Sequence, residues 1–168
     1  MSWSGTNSHV FGAFVANPML GVTGASGAGL PTGYGGLVAD TIKCALYGNT
    51  TAPDSTAAVA STGYNTGAWV TGNEVTGGTD WVAGGRNVVS DSITRSGGTV
   101  TYASASNLTS AATATFTAYG CLIYDSTISG GTVAKQGVCF LDFGGAQVVT
   151  AGTFSLAWSP SGIFTVTV

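Results

Sequence analysis

TATFTAYGCLIY, residues 113–124, alternates polar and apolar side chains over its first half and is apolar on both faces over its second half. Alternation is typical of a strand with one buried face, whereas a continuous apolar run is typical of a central strand that is covered on both sides. VCFLDF, residues 138–143, is a second run of this kind, and we expect the glycines at 144–145 to end it. The two segments predict the centre of a β-sheet.

Shorter strand patterns surround these two segments. We predict a strand at 41–47 and a hairpin that joins 93–94 to 99–102 through 96–98. At the C-terminus we predict a hairpin or a pair of neighbouring strands at 154–158 and 163–168. Many short strands separated by Gly and Pro turns indicate two packed sheets or a barrel. The sequence therefore predicts an all-β fold, an antiparallel β-sandwich of jelly-roll-like type, over residues 37–168.

The N-terminal segment, residues 1–36, lacks these strand patterns and includes the Gly-rich stretch GVTGASGAG at 21–29. Residues 7–18 fit either a short helix, capped by Ser8 and stopped by Pro18, or an extended apolar arm. We interpret the segment as a separate contact region. Its expected anchors are the apolar residues Val10, Phe11, Phe14, Val15 and Leu20.

The chain is poor in charge. Of its 168 residues 44% are hydrophobic but only 7% are charged, far below the ~25% of a typical soluble domain. The net charge is −3, and the four basic residues, Lys43, Arg86, Arg95 and Lys135, are scattered. Nucleic acid binding and a polybasic membrane patch both need a cluster of cations, so neither is expected. A neutral surface suits a protein that neighbouring subunits cover.

The cysteines and the N-terminus indicate a cytoplasmic site of synthesis. Cys44, Cys121 and Cys139 lie in apolar stretches and are too far apart for a C-x-x-C site, so we expect buried, reduced core residues. The first residues lack the basic and apolar regions of a secretory signal, and no apolar run is long enough for a transmembrane helix.

Candidate catalytic groups are few. His9 is the single histidine and so the only imidazole base for a serine or cysteine nucleophile, but no group close in sequence orients it. Of the seven carboxylates, Asp125 is expected to form an Asx-turn with the residues that follow it. Asp142, inside an apolar run, is expected to bind Arg86, Arg95 or backbone N–H groups of a turn.

No enzymatic activity and no cofactor are expected from this inventory. No metal-ligand spacing is present, although scattered carboxylates and carbonyl oxygens leave a calcium site open.

The aromatic residues leave one binding hypothesis. Trp69 and Trp81 are set among Gly and Thr, and exposed rings at these positions would make surface contacts, such as stacking on a sugar. The alternative is burial in the core or in a subunit interface, where Trp and Tyr are enriched.

Several segments, taken together in their order and spacing, resemble a family of virion structural proteins of tailed bacteriophages, especially those of actinobacterial hosts. The resembling stretches are ADTIKCALYGNT (39–50), GG (84–85), GCLIYD (120–125), GVCFLDFGG (137–145), GTF (152–154) and SGIF (161–164). This resemblance implies a small structural protein without catalytic residues, made in the host bacterial cytoplasm and located in the virion.

The leading hypothesis is a capsid accessory protein that decorates or cements the shell. Its expected partners are the major capsid protein, other virion proteins and further copies of itself. One alternative is a component of the tail, collar or a fibre. Another is a carbohydrate-binding β-sandwich module that contacts the host envelope.

Overall fold

The computed structural model describes residues 8–11, 31–110 and 112–167. Strands dominate these residues, and the helical segments among them are three 3-10 turns at Val59–Ser61, Gly67–Trp69 and Thr71–Asn73. The strands are β1 (His9–Val10), β2 (Ile42–Tyr47), β3 (Glu74–Val75), β4 (Arg86–Asn87), β5 (Asp91–Ser96), β6 (Thr99–Ser104), β7 (Leu108–Thr109), β8 (Ala114–Asp125), β9 (Gly137–Gly152), β10 (Ser155–Leu156) and β11 (Phe164–Thr167). All pairings are antiparallel, so the all-β prediction is confirmed, and the jelly-roll connectivity stays a prediction.

The main sheet is built around β8, which contains most of the first quoted segment. Its strand order is β1-β9-β8-β2-β3, and β4 also pairs with β2. All six residues of β2 pair with the second half of β8, from Ile42 opposite Asp125 to Tyr47 opposite Gly120. That half of β8 is almost fully buried, as predicted for a strand covered on both sides.

The second quoted segment begins β9, but the strand continues beyond the glycines at 144–145. Ala118 pairs with Gln147 and Gly120 with Asp142, so β9 advances by five residues where β8 advances by two. Gly144 and Gly145 have φ of 75° and 151°, values that an L side chain rarely adopts. The two glycines therefore form a bulge within the strand, and the expectation that they end it is wrong.

A three-stranded sheet, β11-β6-β5, and the pair β10-β7 complete the fold. The predicted hairpin is confirmed as β5 and β6. The predicted pairing of the two C-terminal strands is wrong. β10 pairs with β7 and β11 pairs with β6, rather than with each other. Tyr102 of β6 and Ile163, just before β11, belong to the same buried cluster as Leu122 and Phe140 of the main sheet.

Residues 8–11 of the N-terminal segment belong to the main sheet. His9 pairs with Phe140 and Val10 with Cys139, and Phe11 N–H donates to the Val138 carbonyl oxygen at 3.1 Å. A helix is therefore wrong at residues 9–10, which form a strand. Residues 1–7 and 12–30 lie outside the described residues. That they form a contact region separate from the β-domain stays a prediction.

The three cysteines sit on the three central strands. Cys44, Cys121 and Cys139 are free, and none is more than 1% exposed. Burial raises the pKa of the Cys44 and Cys139 thiols well above the usual range. The prediction of buried, reduced core residues is confirmed.

Replacing Gly137 by Ala should destabilise the fold. A Cβ there would meet the Thr62 carbonyl oxygen and, at 2.6 Å, the Phe11 ring. Because backbone and a buried ring must both shift, we expect urea unfolding to show a loss of at least ~2 kcal/mol. Gly72→Ala is the matched control, since nothing lies within 4 Å of its Cβ position. An equal effect of both substitutions would contradict this packing.

Candidate functional site

Trp69 and Trp81 are core residues. Each is 1% exposed, and Trp69 contacts the rings of Tyr47 and Phe11 at 5.1 and 6.0 Å. Trp81 packs against Phe154 at 5.8 Å. The prediction of surface aromatic contacts is wrong for both residues, because their indole faces are covered by other side chains. Burial in the core, the alternative that the sequence left open for both residues, is confirmed, although the segment between 55 and 85 has no regular strand pattern to indicate it.

Of the predicted interface residues, the structure describes Val10 and Phe11. Val10 is partly buried in β1, and Phe11 is fully buried, with its ring 5.6 Å from that of Phe140. Phe11 is therefore a core residue of this chain rather than an exposed anchor. Phe14, Val15 and Leu20 lie outside the described residues, and their role as anchors stays a prediction.

A groove of about 310 Å³ runs beside β1 and contains His9. It is lined by Ser8, His9, Val10, Cys139, Leu141, Ile163, Phe164 and Thr165, so it separates the β1–β9 edge of the main sheet from β11. The His9 ring is tilted against Phe140 at 5.7 Å. Ser8 Oγ accepts a hydrogen bond from the Asp142 N–H at 3.0 Å.

The groove brings together a serine, the histidine and a cysteine, but it lacks the features of an activated nucleophile. Burial raises the pKa of the Cys139 thiol, so the reactive thiolate is disfavoured. Ser8 is held by a backbone N–H rather than by His9. Among the described residues no carboxylate hydrogen bonds to the imidazole to orient it. The arrangement favours a surface or packing role for His9, whose exposed side chain lies against Phe140.

Asp125, the last residue of β8, is the most perturbed carboxyl group that the structure describes. Its Oδ1 accepts the Thr127 N–H at 2.9 Å, which confirms the predicted Asx-turn. The residue is 0% exposed, and Oδ2 has no hydrogen-bond donor among the described residues. Burial raises the pKa of Asp125 to about 7, against the lowering effect of the Thr127 hydrogen bond. The neighbouring Asp40 carboxyl also contributes to this rise.

The Asp40 side chain holds the turn that precedes β2. Its Oδ2 accepts the N–H groups of Gly35 and Gly36 at 2.8 and 3.1 Å. No group of three or more acidic, His or Cys side chains is close enough to hold a metal ion in the described ranges. Through these backbone hydrogen bonds and their interaction with each other, Asp40 and Asp125 link the end of β8 to the turn before β2.

Two further carboxylates serve turns. Asp142 Oδ1 accepts the Gly144 N–H at 2.8 Å, which is the turn contact that the sequence suggested, and neither arginine is its partner. Glu74 accepts the Tyr64 hydroxyl and the Gly84 N–H, both at 2.8 Å. Burial raises the pKa of Glu74, while these two hydrogen bonds oppose the shift. Sequence reasoning missed Glu74, because its partners lie ten residues away in irregular segments.

The exposed apolar surface is spread over several elements. The exposed large side chains are Val38, Val70, Val82, Val89, Ile93 and Val148. Five of the six residues of β5 are exposed. The outer edge of this strand has no partner among the described residues, and it is the longest such edge outside the main sheet.

Comparisons with protein-family models, with curated proteins and with solved structures found no match to this chain. The resemblance to phage virion proteins therefore stays a prediction. No helix in the described ranges is long and apolar enough to cross a membrane.

Phe11→Ala should destabilise the whole domain if β1 is an integral strand. Truncating a buried Phe typically costs ~3–5 kcal/mol. Val148→Ala is the control, since Val148 is 69% exposed and surface changes usually stay within ~0.5 kcal/mol. Chemical unfolding measures both. An unchanged midpoint for Phe11→Ala would show that the N-terminal strand is detachable.

Asp125→Asn should remove a pH dependence of stability. Because the folded-state pKa of about 7 lies above the ordinary value of 3.8, the folded state binds the proton more tightly, and stability falls as pH rises from ~4 to ~7. The amide keeps the Thr127 contact without a charge. We expect a flatter profile and a higher melting temperature at pH 8.

Asp142→Asn is the matched control for this experiment, because it makes the same charge change at a residue that also accepts a turn N–H. Melting temperatures from pH 4 to 8 compare the two variants. If both flatten the profile equally, or neither does, the assignment to Asp125 is wrong.

Proposed function

We propose that this chain is a non-enzymatic structural protein of a tailed-phage particle, which decorates or cements the capsid through contacts with the major capsid protein. The observation that favours this role is an all-β domain with 7% charged residues and an unpaired strand edge in its described part. A charge-poor surface matches the depletion of charged residues at the core of protein interfaces, and an open strand edge can pair with a neighbour. The resemblance of the quoted segments supports the phage setting.

The polar groups of the structure favour a structural role over catalysis. Asp40, Asp125 and Asp142 bind backbone N–H groups of turns, and the cysteines are buried thiols. The reactive groups that an enzyme exposes in a cleft are thus used here to hold the chain together. The protein works by packing against partners.

The alternatives differ in support. A position on the tail, collar or a fibre has the same physical requirements, so the resemblance and the composition fit it equally. The hypothesis of a carbohydrate-binding module relied on exposed Trp69 and Trp81 rings, and both residues are buried in the core. No other described tryptophan is exposed, since Trp158 packs against the core and donates its indole N–H to the Ser106 carbonyl oxygen at 2.8 Å.

Labelling purified particles tests this proposal. Antibodies raised against the folded chain, followed by gold-labelled electron microscopy of the virions, should decorate the head. Label along the tail or at the collar would favour the alternative position. Particles that lack the chain by both labelling and mass spectrometry would overturn the virion role. An antibody against the major capsid protein is the positive control.

A further inference from the structure

The outer edge of β5 has a symmetric pattern of side chains. The strand reads Asp91-Ser92-Ile93-Thr94-Arg95-Ser96, so an acid and a base stand at equal distances on either side of Ile93. In the described part of the chain β5 ends its sheet, and β6 is its one partner. An unpaired edge of this length is a template for another strand.

The backbone groups of the odd-numbered residues of β5 point outward. In an antiparallel ladder, residues that exchange hydrogen bonds with the neighbouring strand alternate with residues that do not. Ser90 continues the β5–β6 register by one step, and its carbonyl oxygen accepts the Ala105 N–H at 3.1 Å. The even-numbered residues therefore bond to β6. The N–H and C=O groups of Asp91, Ile93 and Arg95 are left to face a new strand.

The side chains of these outward residues share one face of the sheet. Ile93 stands opposite Tyr102, yet it is 48% exposed while Tyr102 is 1% exposed. Ile93 is open because nothing described lies beyond the edge. Arg95 is exposed and forms no ion pair with the described residues. Asp91 accepts the Tyr102 hydroxyl through Oδ2 at 2.8 Å, which leaves Oδ1 for a further donor.

We propose that two copies of this chain pair through β5, antiparallel and centred on Ile93. The two-fold axis places Ile93 opposite Ile93 of the second copy. It also places Arg95 of each copy opposite Asp91 of the other, which gives two pairs of opposite charge. Moving the centre to Ser92 or Thr94 removes both charge pairs. The outward backbone groups and the charges therefore select the same register. Cross-strand pairs of opposite charge stabilise such a sheet, and like charges destabilise it.

The inference deepens the proposed function, because it names a second copy as one partner of the assembly subunit. Two short strands bury far less than the ~1,600 Å² of a standard interface, so the isolated dimer is expected to be weak, with a dissociation constant above ~1 µM. On a particle, many neighbouring contacts would act together and strengthen each one. The interface is isologous, as closed dimers require.

Sedimentation equilibrium of the purified chain up to about 1 mM tests the pairing. We expect a concentration-dependent rise from the 16.6 kDa of one chain towards twice that mass. Arg95→Glu and Asp91→Lys each place like charges opposite one another and should weaken the dimer at least ~10-fold. An equimolar mixture of the two variants restores both opposite-charge pairs and should dimerise again. Arg95→Lys and Val148→Glu are controls that should dimerise like the parent chain.

Amide hydrogen exchange gives a second readout that needs no substitution, since Asp91→Lys removes an internal hydrogen bond. The amides of Asp91, Ile93 and Arg95 should gain protection as the concentration rises, while those of the even-numbered residues stay protected throughout. A chain that remains monomeric at about 1 mM, or a dimer that Arg95→Glu leaves intact, overturns the inference. Particle labelling is independent of both outcomes, so the dimer and the virion role can fail separately.

Discussion

The pairing of β2 and β9 with the buried half of β8 is the constraint on which the rest of the structure depends. The six residues of β2 align in register with β8, and the first residues of β9 cover its other edge. Because both faces of β8 are apolar here, this strand is stable only with covering layers on each side. Side chains from outside the main sheet contribute to this cover, since Trp69, Trp81 and Tyr102 belong to the same buried cluster as the residues of β8.

The regular strands of this core were predictable from the sequence. Ile42–Tyr47, Ala114–Asp125 and the start of β9 have side-chain patterns that only a buried strand satisfies, and the hairpin of β5 and β6 follows from two strand patterns around a glycine turn. The jelly-roll-like part of the prediction concerns connectivity, which side-chain patterns do not encode.

The errors lie where local pattern and tertiary contact disagree. Gly144 and Gly145 have the composition of a turn, but β8 continues alongside them, so the chain forms a bulge rather than a strand end. Trp69 and Trp81 lie in irregular segments, where no periodicity reports burial, and other parts of the chain cover them. Glu74 was missed for the same reason. The Asx-turn of Asp125 was predictable because its partner lies two residues away, whereas its proximity to Asp40 required the fold.

The central cysteines allow opening of the main sheet to be measured by thiol modification. Cys44, Cys121 and Cys139 occupy the three strands that hold the core, and no disulfide connects them. Cys139 lines the groove beside β1, but a thiol reagent reaches the fully buried Cys44 and Cys121 only when the central strands separate. The raised pKa of the Cys44 and Cys139 thiols also disfavours the reactive thiolate while the core is closed. The rate of modification thus reports motion of the interior, while events confined to the β5 edge leave it unchanged. Thiol modification therefore distinguishes pairing at the β5 edge from unfolding of the main sheet.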